Sequence, residues 1–291
     1  LKEEGIRDMG FPVRIPIGHW IDLVVIWLTD NLATVFDAVS RVVGFILLKI
    51  DFLFNWIPWP ISIGVIVVIA WLVSGRRVAI FSAIALFLMG SLELWAEGMS
   101  TLALVTTAVF ISVVLGLPAG ILSAKNERFD AILRPILDGM QTIPSFVYLI
   151  PAIMFFGIGN VPGIMATVIF SLPPMVRLTS LGIRQVDFEV VEAGHAFGST
   201  PLQLLVKIQL PLALPSIMTG VNQTVMMALS MVVVAAMIGA GGLGYKILYS
   251  IQRVDLAVGI EAGLGILFIA MVLDRILQGV TKRQQKALLR Q

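Results

Sequence analysis

Long apolar runs separated by short polar breaks dominate the chain, and the breaks carry most of the charge. The runs fall at about Ile57–Val73, Val78–Leu94, Met99–Ser123, Met140–Phe156, Gly163–Leu178, Leu212–Ile238 and Leu256–Gln278. Each is close to the ~20 residues that cross a hydrocarbon core ~30 Å thick. The pattern therefore predicts an all-α polytopic membrane protein with about seven spans. Ser74-Gly75-Arg76-Arg77 is a short basic turn, and Glu93 and Glu97 form an acidic link. Pro135, Asp138 and Gln141 delay the fourth span, and Gly157–Pro162 makes a tight turn after it.

Before the first span the pattern changes. Within Asn31–Ile50, Val35, Phe36, Val39, Val42, Val43 and Ile46 share a helical face opposed by Asp37, Arg41 and Lys49. That is the pattern of an amphipathic helix lying in the interface plane, with Trp56 and Trp59 as aromatic markers of the boundary. Leu1–Val13 lacks the basic-then-apolar order of a signal peptide, and a start on Leu suggests trimming or incomplete ordering.

One polar segment interrupts the oily half of the chain, Asp187–Pro211. Asp187 is placed to cap a first short helix, with Glu189 and Glu192 near its positive end and Gly198 to terminate it. Thr200 is placed to cap a second, with Pro201 at its first position. Leu202, Leu205, Val206 and Ile208 recur at helical spacing, and Pro211 follows. The expected object is two short helices joined by a glycine bend, each ~15 Å long. It would suit a groove on another protein, with His195 as a contact residue; a plain connector is the alternative.

Composition agrees: 58% of residues are hydrophobic and 13% charged, with mean hydropathy +0.98, whereas soluble domains carry ~25% charged residues. There is no cysteine, and the only histidines are His19 and His195, which excludes thiolate chemistry and leaves little for a metal centre. The net charge of +2 is informative by position. Arg76, Arg77, Lys125, Arg128, Arg134, Arg177, Arg184, Lys207, Lys282, Arg283, Lys286 and Arg290 fall on one side of the drawing; loops opposite hold Lys246 and Arg253. The positive-inside bias then puts the Asp187–Pro211 loop and the C-terminus in the cytoplasm and the N-terminus outside.

Gly239-Ala240-Gly241-Gly242-Leu243-Gly244 has the letters of a dinucleotide fingerprint but follows a membrane helix, so it reads as a flexible extracytoplasmic turn. No G-x-x-x-x-G-K-[ST] occurs, so any ATPase that powers transport is another polypeptide. Pro118, Pro135, Pro144, Pro151, Pro162, Pro173 and Pro174 punctuate the spans, as broken helices lining a pathway or as kinked packing. Gly116-x-x-x-Gly120 and Gly259-x-x-x-Gly263 allow close helix approach, within the subunit or at a dimer seam. Gln141, Asn222, Gln223, Thr224 and Ser230 must face protein or water, either as helix-to-helix hydrogen bonds or as a neutral lining suited to a zwitterion. Met226, Met227 and Met231 fit a pliable gate or ordinary packing, and Glu261 lies near a span end.

Glu192-Ala193-Gly194, Gly198, Ile208 and Leu210-Pro211 resemble the Glu-Ala-Ala loop of binding-protein-dependent ABC importer permeases, Gly194 replacing the second alanine. Met140–Tyr148, Phe155–Gly159, Ser171–Arg177, Gly182–Val186 and Gly220–Gly244 are similar to the glycine betaine/proline branch of that family. The resemblance covers roughly Ser100–Val280. It implies a type I importer: a permease pair, two cytoplasmic ATPases that hold ATP and magnesium, and an extracytoplasmic substrate-binding protein. No cofactor in this chain and no nucleic acid is implied. The site is prokaryotic inner membrane, the cargo an osmoprotectant such as glycine betaine or proline. An end at Gln291 implies a separate receptor, which would carry any aromatic cage for a quaternary ammonium.

The resulting division is an N-terminal tail and interfacial helix (1–55), accessory spans (56–98), a permease core (99–280) with its coupling loop (187–211), and a basic tail (281–291). Glu189, Glu192, Ala193, Gly194, Gly198, Pro201, Ile208, Leu210 and Pro211 are the expected coupling residues. Gln141, Asn222, Gln223, Thr224, Met227 and Ser230 are the candidate pathway. The rivals are a permease for another amino acid or osmolyte, an ion-coupled secondary transporter, which would prefer intramembrane carboxylates, and a membrane enzyme, disfavoured by the lack of a His, Cys or carboxylate cluster.

Overall fold

A computed structural model describes residues 16–288, with side chains to residue 285, so the expected N-terminal tail and the side chains of Lys286 and Arg290 lie outside the described residues. The helices are α1 (Ile17–Trp56), α2 (Trp59–Ser74), α3 (Arg76–Ser91), α4 (Trp95–Lys125), α5 (Glu127–Thr142), α6 (Leu149–Phe156), α7 (Asn160–Arg184), α8 (Phe188–Ala196) and α9 (Pro201–Leu204). They continue as α10 (Leu210–Ser230), α11 (Val232–Ala236), α12 (Leu243–Arg253) and α13 (Leu256–Leu288). No strand occurs among the described residues.

The count of about seven spans is approximate. Four helices are individually long and apolar enough to cross: Trp95–Lys125, Asn160–Arg184, Pro201–Ser230 and Leu256–Gln285. Two bent pairs raise the number to six, α1 with α2 at 102° and α5 with Ser145–Phe156 at 106°. Helices α2 and α3, the expected first two spans, have 16 residues each, ~24 Å against a core of ~30 Å. The expected fourth span breaks at Pro144, which has no N–H and forces Ile143 extended (ψ 131°). Pro118, Pro135, Pro173 and Pro174 instead lie inside continuous helices.

The segment expected as an interfacial helix, Asn31–Ile50, is helical within the 40-residue α1, which kinks at Leu32. Its packed seam is Val39, Val43, Leu47 and Ile50, set against Ala103 and Ala108 of α4 and Ile164 and Val168 of α7. Val42, Phe45, Leu48 and Phe52 are exposed alongside Asp37, Arg41 and Lys49, so the outer side of this half mixes apolar and charged groups. Phe36 stacks on Phe155 with centroids 4.4 Å apart and meets Phe156 edge-on, tying α1 to the end of α6.

Helices α4, α7 and α10 form the centre. Small residues set their spacing. A β-carbon on Gly120 would stand 2.5 Å from Thr179 Cβ and 2.7 Å from the Val176 carbonyl oxygen. On the other face of α7, one on Gly182 would stand 2.7 Å from Ser216 Cβ, and one on Gly220 would stand 3.2 Å from Leu178 Cβ. The first small-residue pair, Gly116 and Gly120, is therefore an α4–α7 seam within the subunit. Of the second pair, Gly259 faces Ser250 of α12, while Gly263 has open space beside it.

The glycine-rich turn after α11 departs from the flexible segment expected. Gly241 N–H donates to Asn160 Oδ1 at 2.9 Å, Leu243 N–H to Thr101 Oγ1 at 2.8 Å, and Gly159 N–H to the Ile238 carbonyl at 2.8 Å. Its glycines serve close approach: Gly239 and Gly242 have φ of 91° and 80°, and Gly242 lies directly on Thr101.

Candidate functional site

The polar segment 187–211 folds from its caps. Asp187 accepts the N–H of Glu189 at 2.9 Å and starts α8; Gly198 at φ 77° ends it. Thr200 and Gln203 then cap each other reciprocally, opening α9 with Pro201 in its first turn. The second helix does not stop at Pro211, as expected. It runs on through a π-helical turn, Leu205–Gln209, into α10, so that Pro201–Ser230 is one 30-residue rod. The cause is Pro211, whose ring would strike the carbonyl four residues back. The widened turn, with Leu210 N–H bonded to the Leu205 carbonyl, accommodates it without ending the helix.

The motif residues divide by direction. Gly194 is buried, and a β-carbon there would meet the δ-methyls of Leu204 and Ile208, each at 2.7 Å. The departure from alanine at this position thus lets α8 lie closer on the rod. Leu205 is buried with Met175, Ile183, Ala213 and Ile217, rooting the segment on α7 and α10. Leu210 is half-buried. Glu189, Glu192, Ala193, Gly198, Pro201 and Pro211 are exposed, as is His195. Beside them stand apolar side chains that sequence reasoning passed over as docking surface: Phe197 is 91% exposed, Phe188 69% and Leu202 68%. Large apolar groups exposed together on a charged loop mark an interaction surface. The available signal was an aromatic residue directly before the bend glycine.

A charged node holds the root of this segment. Arg184, the last residue of α7, donates to the Ser123 carbonyl at 2.6 Å and pairs with Asp130 at 3.1 Å. Asp130 also takes the Ser123 hydroxyl at 2.5 Å and Arg134 at 2.7 Å, and Arg177 pairs with Asp138 nearby. The Ser123 hydroxyl first, then Arg134 and Arg184, outweigh burial and hold the Asp130 carboxyl below its ordinary value. A depressed carboxylate stabilises the fold at pH above its unfolded value and loses that contribution as pH falls through the folded one. Asp130→Ala is expected to cost about 2 kcal/mol in thermal melts at neutral pH. The difference from wild type should shrink only below the ordinary carboxylate range, near pH 4.

The candidate pathway residues do not share one face. Gln223, Met226, Met227 and Ser230 form a stripe on α10, and Gln141 reaches it with Nε2 3.8 Å from Met227 Sδ. Thr224 is buried and bonds back to the Gly220 carbonyl at 2.9 Å. Asn222 points the other way and donates to Asp274 Oδ1 of α13 at 3.0 Å; Gln278 donates to the same carboxylate. Asp274 was missed in the sequence, although one carboxylate in an apolar run was a readable signal. No group of His and acidic residues able to hold a metal occurs among the described residues.

Residues 116–288 match the family described as binding-protein-dependent transport system inner membrane component. The chain is 47% identical over 275 residues to the glycine betaine/proline betaine transport system permease protein ProW of Escherichia coli (strain K12), covering 94% of this chain and 78% of that protein. It is 44% identical over 272 residues to the glycine betaine transport system permease protein OpuAB of Bacillus subtilis (strain 168), covering 94% and 96%. Among solved structures, an inward-facing form of the MetNI methionine ABC transporter matches with a TM-score of 0.60 at 22% identity, covering 66% of this chain and 95% of that one. At that identity the likeness establishes the fold alone.

Proposed function

The chain belongs to the binding-protein-dependent transport system inner membrane components, and from that premise we propose that it carries glycine betaine or a similar compatible solute across the prokaryotic inner membrane. It is a multi-pass permease subunit without catalytic chemistry of its own; ATP and magnesium belong to a cytoplasmic partner, and an external receptor delivers the cargo. The names of the relatives support the solute class. The one-sided distribution of arginine and lysine supports a cytoplasmic loop and C-terminus, with the N-terminus outside.

The observation that carries the mechanism is the continuous rod Pro201–Ser230. Its exposed start, together with Glu189 and Glu192 of α8 and Phe197 after it, docks in a groove of the ATPase. Gly194 and Ile208 lock α8 to it, while Gly198, Pro201, Leu210 and Pro211 set the bend and the entry into the span. Closure of the ATPase pair then moves α7 and α10 as one packed body. The open stripe of Gln141, Gln223, Met227 and Ser230 faces the pathway or a second permease copy across it. Asn222 and Thr224 support that stripe from within the subunit.

The test is reconstitution in vesicles with the ATPase and receptor. Labelled glycine betaine should enter only with ATP on the ATPase side and receptor on the other. Uptake driven by an ion gradient without ATPase would sink the reading.

A further inference from the structure

The α2–α3 hairpin takes no part in that coupling path, yet its turn is built tightly against α13. Ser74 Oγ donates to the Arg275 carbonyl at 2.8 Å, and Gly279 leaves no room for a side chain beside Ser74. At this crossing lies a cavity of about 300 Å³ lined in part by Arg275, Gln278, Lys282 and Arg283, with no carboxylate in its wall. Among the described residues no salt bridge engages these three cations, nor Arg76 and Arg77 on the turn. The adjacent acid, Asp274, is already taken by Asn222 and Gln278. Arg275, Lys282 and Arg283 are exposed, so water screens their mutual repulsion, but their positive heads converge on one pocket where an anion would meet all three.

The surroundings say which anion. The same turn closes an apolar groove of about 410 Å³, lined by Val67, Val68, Trp71, Ile80 and Ala83 and ending on Arg76. A second, of about 460 Å³, shares Ala83 and reaches Trp59 at the far end of the hairpin. Together they follow α2 for most of its ~24 Å, more than the ~15 Å of one leaflet's hydrocarbon. A cationic pocket beside a lipid-facing groove fits a headgroup with its chains and gives no advantage to free phosphate. We propose that the pocket binds the phosphate of an acidic phospholipid from the leaflet the turn faces, its acyl chains lying along the hairpin. Bound there, the lipid ties α2 and α3 to the helix that Asn222 grips.

The full chain, purified with its partner subunits in mild detergent, is titrated with phosphatidylglycerol, phosphatidylcholine or inorganic phosphate, and its unfolding temperature is followed. Phosphatidylglycerol should raise that temperature for wild type and not for Arg275→Gln/Lys282→Gln/Arg283→Gln; the other two additions should do neither. An equal gain in the variant, or a gain from inorganic phosphate alone, overturns the proposal. Should the variant fail to assemble, wild type is labelled with a phosphatidylglycerol that carries a photoreactive chain. Labelling concentrated on 67–83 and competed by phosphatidylglycerol supports the site; labelling spread over the apolar surface refutes it. None of these readings depends on transport, so they stand apart from the proposed function.

Discussion

Gly198→Pro is expected to abolish solute uptake, at least 100-fold below wild type, while the protein still inserts and binds lipid normally. Three features of the bend exclude proline. Gly198 sits at φ 77°, and the proline ring fixes φ near −65°. Its N–H donates to the His195 carbonyl at 2.9 Å, a bond proline cannot make. Phe197 before it is near-helical (φ −80°, ψ 8°), the region a following proline disfavours. Asparagine, which tolerates the left-handed region, should retain more activity than alanine, for which that region costs ~1–2 kcal/mol. Glu192→Lys provides the complementary arm. Glu192 is exposed and makes no hydrogen bond or ion pair among the described residues, so folding stability should stay within ~0.5 kcal/mol. If Glu192 docks as proposed, uptake and receptor-stimulated ATP hydrolysis should nonetheless be lost, because the partner groove would meet an ammonium in place of a carboxylate. Normal uptake in both variants removes the docking assignment.

What could be read from the sequence followed local chemistry. Asp187, Gly198 and Thr200 marked the caps of 187–211 because capping depends on a few adjacent atoms. The continuation through Pro211 was not readable, since the same proline clash can either end a helix or widen it into a π-turn, and only the packed helix on either side decides which. The faces of α10 were beyond reach for a related reason. Asn222, Gln223 and Thr224 are consecutive, so each points ~100° from the next, and only the packed neighbours decide which one meets α13. The glycine-rich turn looked loose from its letters; its partners, Asn160 and Thr101, lie 81 and 142 residues away. Hydropathy, by contrast, located α2 and α3 and bounded each at about 17 residues, close to the 16 observed, because a run's length is written in its letters.

Gly120→Val is the second substitution with a large expected effect, and Gly263→Val is its control. Both positions belong to small-x-x-x-small pairs with the same letters. At Gly120 the first added carbon already stands 2.5 Å from Thr179 Cβ and 2.7 Å from a backbone oxygen, neither of which can swing aside. Valine there must push α4 off α7, and overpacking of this kind costs ~1–3 kcal/mol or more. Because α7 also packs on α10, the strain reaches the rod that continues from the 187–211 segment. Folded yield in detergent is therefore expected to fall about tenfold or more, with a lower unfolding temperature in what remains. At Gly263 nothing stands within 4 Å, so valine should leave yield and melting unchanged in a single subunit. A loss confined to Gly120→Val assigns the first pair to the interior of the subunit. A matching loss at Gly263 would mean that this open face of α13 is covered in the assembly, which would make it the face against which a second permease copy packs.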